Sequence, residues 1–336
     1  GGMIVPVLIF SLVCPSDPAM QRGMAIPMAT DIAFSLGVLS VFSKRVPIGL
    51  KIFLAALAVA DDLGGIIAIA IFYSSDIDFM YLILSAVCAA IMILANILKC
   101  HRKRFYVLFG LVLWYFMLNS GIHATIAGVI TAFCVPSTLT KGTGYYLERI
   151  RKNVNKFPVI DIDEQHNTIV LTNDQVHTLK SIESAADKMI SPLQDLEDHL
   201  HFTINYVVIP LFAFANAGID LSGMSIGTLF SGAGLAVMLG LVLGKFIGVF
   251  SFSWVAVRLN IVKLPTNTTW KAFASVCVIC GIGFTVSMFI ADLSYSGLSE
   301  AGNALLDQAK LGVLVGSVIS AVLGVILLGK TLPKEN

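Results

Sequence analysis

Charge is what this sequence has least of. Asp, Glu, Lys and Arg make up 13% of its 336 residues, while 57% are hydrophobic and the mean hydropathy is +0.86. A soluble domain carries about 25% charged residues, so a soluble globular chain is excluded. A net charge of +1 removes the basic surface that nucleic-acid binding needs. The six cysteines (Cys14, Cys88, Cys100, Cys134, Cys277 and Cys280) are scattered, and no disulfide framework can be read from them. Cys277 and Cys280 have C-x-x-C spacing, but they lie in an apolar run with no second pair. Buried small hydrophobes are the simpler reading than a metal or redox site. No secretory signal peptide is visible. Gly1-Gly2-Met3 opens directly onto an apolar stretch, as expected of a chain without its native N-terminus.

What the sequence has in abundance is apolar runs long enough to span a bilayer, for which about 20 residues suffice. Ten candidates occur, at 1–14, 24–42, 52–73, 79–98, 105–118, 121–136, 202–218, 228–257, 270–291 and 309–329. The expected fold is all-α and polytopic. Loop charge orients it. Lys44, Arg45 and Lys51 lie between the second and third segments, and Lys99, Arg102, Lys103 and Arg104 between the fourth and fifth. Arg258 and Lys263 follow the eighth, and Lys330 and Lys334 the last. The alternate loops (74–78, 119–121, 220–227 and 292–307) are acidic or neutral. Positive loops face the cytoplasm, so the C-terminus is expected there. Residues 137–201 are polar and divide the chain into 1–136, 137–201 and 202–336. Within them, 159–163 and 168–171 suggest a short hairpin. Val176, Leu179, Ile182, Ala186 and Met189 mark one face of an amphipathic helix capped by Asn173.

Against this background, adjacent acids at Asp61 and Asp62 inside the third segment stand out. Each ionised Asp at the centre of a spanning helix costs roughly 2.5–3.5 kcal/mol on insertion scales. Intramembrane acids face wet cavities and handle cations or protons. Neighbours on a helix diverge by about 100°, so the two cannot point the same way. Polar glue between helices is the alternative, but glue is ordinarily Ser, Thr or Asn. A third acid, Asp31, follows Pro27 and Thr30. Pro27 removes a backbone donor and predicts a broken helix, with Asp31 offsetting a positive helix end, holding a cation, or acting as an ordinary N-cap. Lys245 lies deep in the eighth segment, more than ten residues from Arg258. Snorkelling is the bland reading; a buried partner for one of the acids fits better. Gly281 and Gly283 predict a second broken helix. Interrupted segments in corresponding halves mark transporter sites at the bilayer midplane. A phosphate loop is a weak reading of the same glycines, since no lysine comes after them and no strand precedes. His123, near a helix start, is either a pH-responsive group or a packing histidine.

Several stretches resemble the NhaA family of sodium/proton antiporters. They are Ala29-Thr30-Asp31-Ile32-Ala33-Phe34, Leu50-Lys51-Ile52-Phe53-Leu54, Asp61-Asp62-Leu63-Gly64, Gly121-Ile122-His123-Ala124-Thr125, 210–218 (PLFAFANAG), Gly244-Lys245, and Cys280-Gly281-Ile282-Gly283-Phe284-Thr285. They run in family order over nearly the whole chain. The resemblance implies an inverted-repeat bundle with two interrupted, crossing helices, exchanging sodium or lithium for protons by alternating access under pH regulation. It implies that Asp61 and Asp62 bind sodium and protons, with Thr30 near the cation. It implies that Asp31 and Lys245 compensate helix ends, Lys245 also pairing with one aspartate, and that His123 and Glu197 serve the pH response. It implies no cofactor and no enzymatic reaction, membrane lipid as surroundings, a bacterial inner-membrane location, and leaves a homodimer open. Two departures stand out. About two upstream helices of the family, with a hairpin used for dimer contact, precede the point where this chain begins. The polar stretch 137–201 is longer than in the best-known members. The rival readings are an intramembrane aspartyl protease, with Asp31 and Asp61 as its pair, and a cation channel.

Overall fold

The computed structural model describes residues 1–14, 17–42, 45–72, 77–139, 141–155, 173–216, 218, 232–295 and 300–332. Every regular element among them is helical. In chain order they are α1 (Ile4–Val13), α2 (Pro18–Gln21) running into a 3-10 helix (Arg22–Met28), α3 (Ile32–Ser40), α4 (Ile48–Phe72), α5 (Phe79–Ile97), α6 (Lys103–Asn119), α7 (Thr125–Cys134), α8 (Thr143–Val154), α9 (Asn173–Asp187) and α10 (Pro192–Thr203). A π turn (Ile204–Val208) leads to α11 (Ile209–Asn216); then come α12 (Gly232–Leu239), a second π turn (Gly240–Gly244), α13 (Lys245–Arg258), α14 (Trp270–Ile279), α15 (Phe284–Tyr295) and α16 (Glu300–Thr331).

Among the described residues, four stretches of helix are long and apolar enough to cross a membrane: Ile48–Ile69, Phe79–Ile97, Gly232–Arg258 and Gly302–Thr331. Two more are broken pairs: Pro18–Met28 with Ile32–Ser40, bent by 45°, and Trp270–Ile279 with Phe284–Tyr295, bent by 42°. Ile4–Val13 and Thr125–Cys134 are shorter apolar helices. The ten hydropathy segments therefore overlie elements of unequal length. The segment at 202–218 is subdivided by a π turn, and hydropathy alone carries no sign of that. The hairpin expected over 159–163 and 168–171 lies outside the described residues. The amphipathic helix is present as α9, but with a rotated inner face: Ala185 is buried, whereas Leu179 and Ala186 are exposed. Asn173 is its first helical residue.

The chain forms two compact units, Gly1–Ser74 with Asn205–Asn336, and Ser75–Ile204. In the second, α5, α6 and α7 pack around Met92, Tyr106, Leu113 and Ala127. Asp78 caps α5 by accepting from the Met80 N–H at 2.9 Å, and Ser191 caps α10 through the Gln194 N–H at 3.2 Å. The first unit holds the acids and Lys245. Its core has two apolar clusters. One joins Phe10, Ile26, Val237, Leu241, Met288 and Val313; the other joins Leu39, Leu54, Phe273, Val276, Ile279 and Leu328. The long helix α16 runs beside α12, α14 and α15. Its approach to α12 is backbone to backbone: a methyl group on Gly312 would collide with the Gly234 carbonyl. That closeness leaves α16 in contact with both halves of one broken pair.

Candidate functional site

The two breaks meet. Ala29, Thr30 and Asp31 leave the helical path between the 3-10 helix and α3, and 280–283 leave it between α14 and α15. The Asp31 N–H donates to the Ile282 carbonyl at 2.7 Å, stitching one break to the other. Both sequence signals for disruption sit here. Pro27 lies in the 3-10 helix, and Gly281 and Gly283 lie in or beside the second break. A side chain on Gly281 would strike the Leu241 carbonyl and the Ser320 hydroxyl, so close packing requires glycine there.

Broken helices expose unpaired N–H groups at their starts and carbonyls at their ends, inside a medium that cannot solvate them. Asp31 is 2% exposed and serves two starts at once. Oδ1 accepts from the Phe34 N–H at 3.0 Å, capping α3. Oδ2 accepts from the N–H of Thr285 at 3.0 Å and from its hydroxyl at 2.5 Å, capping α15. The Gly283 and Phe284 N–H groups both reach Ser317 Oγ on α16 at 3.2 Å. Asp31 thus stands at the starts of two helices, a position at which an N-cap and a helix-end role would coincide.

The carbonyl ends take the donors. Lys245 is 0% exposed, and its Nζ donates to the carbonyl of Met28, the last residue of the 3-10 helix. The same Nζ lies 2.6 Å from Asp61 Oδ2. Snorkelling is overturned: the ammonium points into the crossing, not toward an interface. The Thr30 hydroxyl lies 3.0 Å from both Asp61 Oδ2 and the Cys280 carbonyl; its single proton serves one at a time. Lys245 comes directly after the π turn Gly240–Gly244. The extra residue of a π turn rotates the helix beyond it, and the turn is wedged in place: a methyl on Gly244 would meet the backbone of Pro6.

Asp62 is the member left over. It sits next to Asp61 on α4, is half-buried, and its Oδ1 is buried without a hydrogen-bond partner among the described residues. Buried polar atoms are nearly always partnered, so this oxygen is an acceptor left open among the described residues. Among the described residues the acceptors gathered here are oxygens: two carboxylates, a threonine hydroxyl and freed carbonyls. That donor set suits a hard cation.

Thr30, Asp31, Asp61, Asp62 and Lys245 all belong to the first unit. His123 and Glu197 belong to the second. His123 Nδ1 lies 2.9 Å from Thr125 Oγ1 at the start of α7, and Glu197 is exposed on α10. Sequence reading passed over Thr285 as an individual residue and Ser317 altogether. Lone hydroxyls in apolar helices are common, and only the neighbouring break gives these two a partner to serve.

Residues 1–328 match the family described as Na+/H+ antiporter 1. The Na(+)/H(+) antiporter NhaA of Bacteroides fragilis (strain YCH46) is 50% identical over 336 residues, which is 100% of this chain and 75% of that protein. The NhaA proteins of Parabacteroides distasonis, at 44% identity over 100% of this chain and 74% of its own length, and of Shewanella loihica, at 41% over 100% and 73%, are also similar. This chain, with its paired aspartates, its buried lysine and its two crossed breaks, belongs to the Na+/H+ antiporter 1 family.

Proposed function

We propose that the crossing is the transport site, and that Asp61, Asp62 and Thr30 bind sodium or protons in turn. As a member of its family the chain is a secondary antiporter of sodium and protons, a multi-pass membrane transporter and not an enzyme. The observation that carries the residue-level reading is the inequality of the two acids. Asp61 already faces an ammonium at 2.6 Å, whereas Asp62 has a buried oxygen with no partner among the described residues.

An exchanger needs one site that takes either ion and never both. A carboxyl group that is ionised when sodium is bound and protonated when it is not meets this condition. Sodium beside such a group favours its charged form. Lys245 supplies a third occupant for Asp61: its ammonium neutralises the carboxylate when no other cation does. Sodium arriving at the oxygens of Asp61, Asp62 and Thr30 competes with that ammonium and with protons. Lithium, also hard and monovalent, fits the same donors. Asp31, with every oxygen engaged by helix starts, holds the breaks rather than the ion. The protease reading would set Asp31 beside Asp61 as a proton-sharing pair, yet Asp31 is bonded to Phe34 and Thr285 and Asp61 to Lys245 and Thr30.

Further parts of the reading rest on loop charge and resemblance. A cytoplasmic C-terminus is inferred from the basic alternate loops, and the inner membrane from the family resemblance. A pH response through His123 and Glu197, a homodimer and the lipid surroundings rest on the family. Sodium-driven proton flux in proteoliposomes tests the site: Asp61→Asn and Asp62→Asn should each abolish or severely weaken it while the protein still inserts. Wild-type flux in both variants would refute the assignment.

A further inference from the structure

The exchange site leaves one nearly buried lysine and its half-buried aspartate partner unused. Lys310 on α16 is 6% exposed, and its Nζ lies 2.8 Å from Asp292 Oδ1 on α15 and 3.5 Å from the Gly218 carbonyl. Neither residue belongs to the crossing, and the nearly buried Lys310 ammonium would be costly to keep without the half-buried Asp292 beside it.

Spacing shows what the pair is aligned with. Asp292 is seven residues beyond Thr285 on α15. Seven residues make nearly two full turns, so both side chains stand on one stripe about 10 Å apart along the axis. Thr285 is the residue that reaches Asp31. On the neighbouring helix, Lys310 stands seven residues before Ser317, again on one stripe. Ser317 is the residue that takes the Gly283 and Phe284 N–H groups. The two helices run antiparallel, so the stripes face each other at two levels. Ser317 holds α15 at its broken end, and Lys310 holds it two turns away. Asp292 also sits in the last turn of α15, where the dipole of the helix disfavours an acid. The ammonium at 2.8 Å offsets that unfavourable placement.

We propose that Asp292 and Lys310 are positioning residues for ion binding: together with Ser317 they fix α15 along and about its axis on α16, and so fix the Thr285 to Asp31 contact on which the geometry of the crossing depends. This rests on the reading of the crossing as the sodium site. Loss of either charge frees α15 to slide or turn by a fraction of a residue. The contacts of Asp31 and, through the joined breaks, of Thr30 with Asp61 loosen with it. The effect is on affinity for sodium rather than on the chemistry of protonation.

The test is a charge cycle in proteoliposomes: Asp292→Asn, Lys310→Met, and the exchanged pair Asp292→Lys with Lys310→Asp, each assayed for the sodium concentration giving half-maximal proton flux and for maximal flux. Each single variant should raise the half-maximal sodium concentration at least fivefold with maximal flux changed less than twofold. The exchanged pair should return it to within about twofold of wild type. Single variants that melt earlier yet keep the wild-type sodium dependence show a merely structural clamp and overturn the proposal. An exchanged pair as impaired as the singles also overturns it. Should the singles fail to fold, the exchanged pair decides alone, its failure to fold or to recover sodium affinity counting against the proposal. Wild-type protein in the same vesicles is the control for the underlying reading: absence of sodium-driven flux there defeats the transport site itself, independently of this pair.

Discussion

Asp31 Oδ2 accepts both the backbone N–H and the hydroxyl of Thr285, at 3.0 and 2.5 Å, across 254 residues of sequence. Through this contact a residue in the first break caps the helix on the far side of the second. Each half-helix is short, and neither start could satisfy its own donors in hydrocarbon. The pairing makes the two breaks mutually dependent.

Replacing Asp31 with Ala should therefore do more than weaken one cap. It strands the Phe34 and Thr285 donors in a buried site, and a stranded buried donor costs about 1–3 kcal/mol. The expected result is a marked loss of thermal stability in detergent together with weaker sodium affinity. A stable protein with wild-type sodium dependence would count against Asp31 as the joint between breaks.

Thr285→Val separates the two bonds, since the N–H remains and only the hydroxyl is lost. A hydrogen bond to a charged group is worth about 1.5–3 kcal/mol, so the variant should fall between wild type and Asp31→Ala in thermal stability. A variant as damaged as Asp31→Ala would show that valine disturbs packing rather than a bond.

Lys245→Ala removes the ammonium from Asp61 and the Met28 carbonyl. Breaking a buried pair by removing one partner costs on the order of 3–5 kcal/mol. Thermal stability should fall, because the Asp61 carboxylate and the Met28 carbonyl lose their shared donor. Unchanged melting would contradict the pairing.

Ser317→Ala takes the shared acceptor from the Gly283 and Phe284 N–H groups. A loss of roughly 1–3 kcal/mol is expected for buried donors left unpaired, read as an earlier melt. Unchanged melting would show that these groups find another partner.

Much of this site could be read before any coordinates. Asp61, Asp62 and Lys245 announce themselves because charge in hydrocarbon is expensive, and Pro27 with Gly281 and Gly283 announce the breaks because each disturbs the helical ladder. The π turn that precedes Lys245 could not be read, because its glycines are needed for contact with Pro6 and Pro27, which are remote in sequence. The same holds for Asp292 and Lys310: each looks like a residue near a helix end, and only the antiparallel course of α15 and α16 brings them together. The rotated face of α9 shows the opposite limit: its apolar residues recur every third position, and that spacing drifts around a helix of 3.6 residues per turn, so it does not fix which side is inward.

The two adjacent acids are unequal, Asp61 being held by Lys245 and Asp62 being the freer acceptor, and exchange on this account needs both. The most direct measurement is sodium binding by calorimetry on purified protein, comparing wild type with Asp61→Asn and Asp62→Asn, with proton release monitored in the same titration. Sodium binding with proton release in wild type, and loss of both in each variant without loss of fold, is the expected result. Undiminished sodium binding and proton release in Asp62→Asn would contradict the account.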